Sequence, residues 1–579
     1  LGRSGAQTYV LDFGDGTATA TGSVTNANEI SASHTYTTGG LKTFTLTVTD
    51  STATSVSRSG VLRVLTTPTH DDRVAMAIEK GLLYLYRNQL RTTVAGIPVC
   101  YWSSSNGGEY TAGASGSTVM SFAENGHLAT NNQVDDIYAD TVLRGVYYIL
   151  SQGRAMAISA QTDGNPDTNG NGRGIYYPDQ IAYAHGFQTM ALLNAYATVA
   201  DAQAATVPSG LWLGGGTAPA TVKDFVTDAL DQLYWCQGDY GYKGWHYATT
   251  TASSGNGGMD GSTHQWPIIA MLTAKERWGF TLPAWVVNNA TSVIINGTAS
   301  SGAYAGGFGY DGPNYWNNCA KTGGALVGYY LAGKHIGPDA NANLALNFIK
   351  NFWSSTTQTG SGGQGGGWFG EFYAMFGLKK GLHLQEVTSF TTSDSVSHNW
   401  NEEFSAWLLG NASLLPATLG SGLRTSNNGY GQSADGSWAA TQWPIGAVGS
   451  PSLVTAHGVL ILTNAVTRPT PVAVIAAVGS QSNRAGFRSF DMDGSGSYHL
   501  DANSSIIEYL WDWNAADGLD WNSPNATGPR PTNPGYATVG NYTVTLRVKD
   551  NQDPFETSTS TVVVNVIDTD IAPVAVAIP

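Results

Sequence analysis

The residues best equipped for chemistry sit in short polar loops. In "PDTNGNGRG", Asp167, Asn169, Asn171 and Gly172 follow the opening of a calcium loop, Asp-x-Asn-x-Asn-Gly. Alternate side chains in such a loop bring oxygens to one ion, and the glycine makes the sharp turn. The acid expected in the twelfth place is replaced by Pro178, with Asp179 one late; the competing reading is a plain Asn-Gly turn. Asp260, His264 and Glu276 cluster near another loop, and His246 and His264 are candidates to face a central cavity. Paired carboxylates can cleave sugars, one protonating and one activating water, but sequence does not set their separation. A loop histidine is more often a hydrogen-bonded structural residue. Asp135 and Asp136 in "NQVDDIYAD" and Glu402 and Glu403 in "HNWNEEFSAWLL" each open a helix, where carboxylates favour the dipole.

Composition narrows the class. Charged residues are only 12% of 579, with 71 glycines, and the net charge is -15. This balance suits secreted and cell-surface proteins, and disfavours nucleic acid and anionic lipid as partners. No run of 18 apolar residues exists to span a membrane. The opening "LGRSGAQTYV" lacks the charged and apolar regions of a signal peptide, so the start reads as processed or incomplete. Cys100, Cys236 and Cys319 are too few for a disulfide framework and read as buried thiols, or as one disulfide plus a free thiol.

The elements that must position these loops fall into two grammars. Residues 1–66 alternate as strands cut by Gly and Asp turns. "DFGDGT" from Asp12, "HTY" from His34 and "GGLKTFTLTVTD" from Gly39 together resemble the polycystic-kidney-disease (PKD) domain, an immunoglobulin-like β-sandwich family of cell surfaces. Leu11 departs from that family's usual Trp. Residues 469–568 repeat the theme with Trp511-Asp512-Trp513 and "GYATVGNYTVTLRVKD". The resemblance implies that Trp511 fills a sandwich core. The Asp-rich loops read either as calcium sites or as turn chemistry.

Residues 70–467 instead carry apolar positions at helical spacing, as in "RVAMAIEKGLLYLYRNQL" and "TVKDFVTDALDQLYW". About six units of helix, Gly-aromatic loop and helix, each roughly 60 to 70 residues, mark a repeat architecture. The pattern resembles the α/α toroid of the terpenoid-cyclase and protein-prenyltransferase superfamily. Gln265-Trp266 and Gln442-Trp443 echo its Gln-Trp repeats. A cyclase of that kind implies an Asp-x-Asp-Asp acid, which does not occur. A prenyltransferase implies zinc on Asp and Cys two residues apart, but two before Cys319 stands Asn317. No zinc and no cofactor are expected beyond the calcium at Asp167, Asn169 and Asn171.

The chain closes on "IAPVAVAIP", and Thr470 to Val474 is nearly the same phrase as Ala572 to Val576. The fold class expected is multidomain α and β: an (α/α)6-type toroid flanked by two immunoglobulin-like β-sandwiches. The domains are 1–66, a PKD-like sandwich lacking its first strands; 70–467, the toroid; 469–568, a complete PKD-like sandwich; and 569–579, a strand of a further or neighbouring module. Pro573, Val574, Ala575, Val576, Ala577 and Ile578 are the expected assembly strand, adding to the N-terminal module of the next copy. The function expected is an extracellular or cell-surface structural protein of bacteria, a repeating filament unit whose partners are copies of itself and glycans. The alternative is a secreted carbohydrate-active or cyclase-like enzyme.

Overall fold

The computed structural model describes residues 6–25, 30–105, 108–133, 136–177, 182–237, 243–249, 259–357, 363–441, 449–463, 471–476, 481–482, 489–499, 505–521, 523–551 and 557–567. Backbone contacts divide the chain into two units, Leu1–Leu462 and Thr463–Pro579.

The first unit begins with an antiparallel sheet of β1 (Ala6–Asp12), β2 (Ala20–Thr25), β3 (Gly40–Thr49) and β4 (Ser55–Val64), in the order β2-β1-β3-β4. The register pairs Tyr9 with Val48, Leu11 with Leu46, and Val48 with Val56, so one face is apolar. The other face is a Ser/Thr ladder, with hydroxyl pairs Thr45–Ser59, Thr47–Ser57 and Thr49–Ser55 at 2.7–2.8 Å. Gly60 leaves room for the ring of Phe44 to lie on the apolar face; a Cβ there would meet it at 2.4 Å.

The helices follow in this order: α1 (His70–Arg87), α2 (Gly108–Glu124), α3 (Ala139–Gln152), α4 (Ala182–Asn194), α5 (Val199–Ala204), α6 (Val222–Trp235) and α7 (Gln265–Trp278). Next come α8 (Ala284–Gly297), α9 (Cys319–Leu331), α10 (Ala340–Phe352), α11 (Phe372–Leu384), α12 (Trp400–Leu409) and α13 (Pro451–Leu462). Small hairpins decorate the loops: β5 (Leu90–Val94) with β6 (Ile97–Tyr101), β7 (Arg154–Ala157) with β8 (Arg173–Tyr176), and β9 (Phe390–Thr391) with β10 (Ser397–His398).

Their packing is cyclic. Helix α2 packs on α4, α4 on α7, α7 on α9, α9 on α11, α11 on α13, and α13 returns to α2. Helices α1, α3, α6, α8, α10 and α12 alternate with these along the chain and pack outside them. The inner helices are buried almost all round, as α4 and α13 show, because neighbours enclose every side. Outer helix α1 buries one stripe, Ala77, Gly81, Leu82 and Leu85, while α6 is buried all round over Asp228 to Tyr234; both begin on capping boxes, Thr69 with Asp72 and Thr221 with Asp224.

The Gly-aromatic loops join outer helix to inner helix, and their aromatic residues close the gap. Trp102 donates its indole N–H to Leu85 O at 2.7 Å, Trp245 to Leu233 O at 2.9 Å, and Trp438 to Leu408 O at 2.8 Å. In each case the acceptor is a last-turn carbonyl of the preceding outer helix, which has no partner within its own helix.

One expected boundary moves. Helix α3 starts at Ala139, not at the Asp135-Asp136 pair. Asp136 instead ties its loop, pairing with His127 at 3.0 Å and accepting from Asn131 at 2.8 Å and from Tyr138 N–H at 2.9 Å. Asp135 lies outside the described residues. Glu402 and Glu403 do stand in the first turn of α12, and Glu403 accepts from His398 and from the Trp353 indole, both at 2.7 Å.

The second unit holds β11 (Pro471–Val472), β12 (Gln481–Ser482), β13 (Phe490–Asp491), β14 (Tyr498–His499), β15 (Ile506–Asp512), β16 (Ala526–Thr527), β17 (Thr532–Asn533), β18 (Gly540–Asp550) and β19 (Thr557–Ile567). A sheet of order β12-β19-β18-β15-β16 packs with the pairs β11–β14 and β13–β17 around Met492, Trp511, Val544, Leu546, Val548 and Val564. Trp511 is fully buried, as expected, and donates to Gly528 O at 2.9 Å. The two β regions share local devices. Tyr36 donates its hydroxyl to Phe13 O at 3.0 Å, and Tyr536 to Trp513 O at 2.6 Å. The Asp-rich loops there use turn chemistry: Asp15 accepts from Thr17, and Asp493 from Ser495.

Candidate functional site

The ring axis is filled. Phe187 of α4, Trp266 of α7, Phe376 of α11 and His457 of α13 meet with ring centroids 4.4–6.4 Å apart. All four are buried, the most exposed being Phe187 at 4%. Burial holds His457 neutral, lowering it to about 4, and its Nδ1 faces Leu453 O at 2.9 Å.

At the N-terminal ends of the inner helices the character changes to polar. Asp260, in the loop before α7, accepts from Ser262 through both N–H (2.7 Å) and hydroxyl (2.5 Å). Tyr183, at the start of α4, donates to the Ser262 hydroxyl at 2.5 Å. Tyr373, at the start of α11, donates to Ser262 O. The Tyr247 and Tyr310 hydroxyls meet at 2.6 Å. Burial pushes Tyr183 and Tyr373 well above the ordinary phenol range, so both keep their protons as donors. Lys321, in the first turn of α9, is buried; desolvation pulls its amine down to about 7, against the opposing pull of the Asp260 and Glu371 carboxylates. Glu371 caps α11.

The same turn occurs twice with different consequences. Asp435 binds Ser437 as Asp260 binds Ser262, but Asp435 is exposed. Asp260 is fully buried, and its carboxylate also lies against the Tyr247 and Tyr310 hydroxyls. Turn chemistry accounts for one oxygen in both copies, and burial among tyrosine hydroxyls sets Asp260 apart.

The other sequence candidates do not join this cluster. Glu276 sits in the last turn of α7, exposed, about 16 Å along the helix from its start. His264 turns outward to Ala290 O of α8 at 3.3 Å, wedged against Trp245 and Phe308, so it does not face a central cavity. Burial lowers it to about 4. His246 is half-buried against the Tyr247 ring. Cys319 begins α9 fully buried, which raises its thiol; Cys100 and Cys236, also buried and unpaired, are pushed up to about 12. Gln442, Trp443, Pro178, Asp179 and the strand Pro573 to Ile578 lie outside the described residues.

The loop of Asp167, Asn169 and Asn171 folds against α6. Asp167 accepts from the N–H groups of Gly170 (2.8 Å) and Gly172 (2.7 Å). The amides of Asn169 and Asn171 both donate to Asp228 Oδ1 at 2.8 Å, and Arg173 Nε donates to Asp228 Oδ2 at 2.7 Å. Asp231, which accepts from Thr168 Oγ1 at 2.7 Å, is raised to about 7 chiefly by burial.

Sequence reading missed Lys321 and the tyrosines. They are scattered from Tyr183 to Tyr373, and only their common place near the starts of inner helices, or in the loops leading to them, unites them.

Residues 2–64 match the family of the PKD domain, which supports an immunoglobulin-like fold there. No curated protein matches the chain in sequence. The solved structure of a nucleoside hydrolase-related hypothetical protein from Saccharophagus degradans, associated with carbohydrate metabolism, is similar at 21% identity, with a TM-score of 0.15. That similarity covers 20% of this chain and 30% of the other. No helix among the described residues is long and apolar enough to cross a membrane.

Proposed function

We propose that this chain is part of an extracellular structural protein in which immunoglobulin-like modules link rigid helical rings into linear arrays. The ring, in this reading, is an α/α toroid of the terpenoid-cyclase type serving as a spacer. The observation that carries it is the axis filled by Phe187, Trp266, Phe376 and His457, where a catalytic toroid needs a substrate chamber. The linkage is supported by the N-terminal sheet. Tyr9, Leu11, Phe44, Leu46 and Val48 on its apolar face are only half-buried, and Val56 is 51% exposed. In the second unit the matching strands are covered by a layer that includes Pro471–Val472. The phrase Pro-Val-Ala-Val recurs at Pro573 to Val576, a strand of the kind that would cover the N-terminal sheet of a neighbouring copy. Size measurement at rising concentration tests this: species larger than one chain are expected, and a single chain at all concentrations would refute it.

Calcium at Asp167, Asn169 and Asn171 belongs to the same reading. Gly172, in the sixth place at φ +70°, makes the turn such loops need. Added calcium should raise the melting temperature, and the Asp167→Ala chain should not respond; an unchanged melting curve in the parent chain would refute the ion.

A second reading, an enzyme acting on sugars, is favoured by one observation, the burial of Asp260, Lys321 and Glu371 together at the ring mouth. Release of new reducing ends from a polysaccharide, abolished by Asp260→Asn, would establish it in place of the spacer.

A further inference from the structure

Two aromatic residues on the loop before α9, Tyr315 and Trp316, lie outside the helical core. Tyr315 and Trp316 are 44% and 36% exposed, and their rings stack with centroids 4.5 Å apart and planes 20° off parallel. Trp316 has φ +53°, a left-handed conformation rare for a bulky side chain. The loop imposes it. Tyr310 N–H donates to Tyr315 O at 2.7 Å, and the Asn317 amide donates to Gly307 O at 2.5 Å and Pro313 O at 2.9 Å. Backbone strain of this kind persists where the surroundings over-determine it, and it concentrates at ligand sites.

The platform is continuous with the buried polar cluster. The Tyr310 ring lies 5.3 Å from Trp316, and its hydroxyl meets that of Tyr247. Gly261 N–H donates to Tyr310 O at 2.6 Å, which seats the platform directly on the Asp260 turn. Behind it lie the fully buried carboxylate of Asp260, which faces the Tyr247 and Tyr310 hydroxyls, and the buried amide of Gln265 beside Tyr373. The outward face of an exposed aromatic stack, edged by phenol hydroxyls and backed by a carboxylate, fits a sugar ring. The C–H face lies on the aromatics, and the hydroxyls find donors and acceptors at the edge. The charge around the site is net negative, with Asp260, Asp311 and Glu371 against Lys321, which disfavours uronate or sulfated sugars.

We infer that the rim formed by Tyr310, Tyr315, Trp316, Tyr247 and Asp260 is a binding site for a neutral hexopyranose unit of a glycan. Tyr315 and Trp316 form a stack whose outward face takes the ring, Tyr310 and Tyr247 form its polar edge, and Asp260 orients that edge from behind. The site requires binding only and is independent of whether the chains form arrays.

Affinity electrophoresis of the whole chain tests it, in gels holding soluble β-glucan, galactomannan, xylan or polygalacturonate. Retardation by at least one neutral polysaccharide is expected, weakened about tenfold or more by Trp316→Ala and by Tyr315→Ala and largely kept by Trp316→Phe. Melting curves of the variants should stay within a few degrees of the parent chain, since both side chains lie at the surface and outside the helical core. Tyr310→Phe, which keeps the ring and removes the hydroxyl, should weaken retardation as well. Three results would each overturn the site: no retardation by any neutral polysaccharide, retardation indifferent to Trp316→Ala, or retardation by polygalacturonate alone.

Discussion

At the scale of single residues, three buried histidines tie the stability of the helical region to pH. His185, His264 and His457 are each lowered to about 4, chiefly by burial. Unfolding exposes them to their ordinary value of 6.5, so the unfolded chain binds more protons between pH 6.5 and 4. Their stabilisation is complete above pH 6.5 and is lost as pH falls through about 4. Asp231, raised to about 7, acts in the opposite sense over an overlapping range, but one carboxyl stands against three imidazoles. Urea unfolding should therefore show stability falling between pH 6.5 and 4, by roughly 2 kcal/mol per histidine. A His457→Gln chain should lose about a third of the histidine contribution to that slope. Asp228 gives a second residue-scale expectation. It takes donors from Asn169, Asn171 and Arg173 while fully buried, so Asp228→Ala should destabilise by about 3 to 5 kcal/mol in chemical unfolding.

At the scale of elements, the Gly-aromatic loops act as caps. Trp102→Phe and Trp438→Phe keep the flat ring but strand the carbonyls of Leu85 and Leu408, and each should cost about 1 to 2 kcal/mol. Trp266→Ala removes the largest ring from the axis and should cost about 3 to 5 kcal/mol; a loss under about 1 kcal/mol would mean the axis is not packed. Much of this layer was legible in advance. The outer helices announced themselves by amphipathic stripes, and α6 runs from Val222 to Trp235 almost as "TVKDFVTDALDQLYW" reads. Helix α2, with its Gly, Ser and Thr, and the evenly buried α11 have no polar face, so periodicity had nothing to report. The polar cluster was illegible for a related reason. Asp260 and Asp435 sit in near-identical phrases, and only tertiary packing buries one and exposes the other.

At the scale of the whole molecule, the chain combines a PKD-like β region at residues 2–64, helices packed in a closed cycle and a second β region, and the proposed role rests on end-to-end association of such chains. The spacer reading needs no chemistry at the ring mouth, and the glycan site adds a place where such an array could hold a surface polymer. The central claim is end-to-end association through a strand of the Pro-Val-Ala-Val kind. Electron micrographs of the purified chain, beside one lacking residues 571–579, test it most directly. The account predicts linear strings of ring-shaped particles for the first and single particles, with the same melting temperature, for the second. Single particles in both, or strings that persist without those residues, would contradict it.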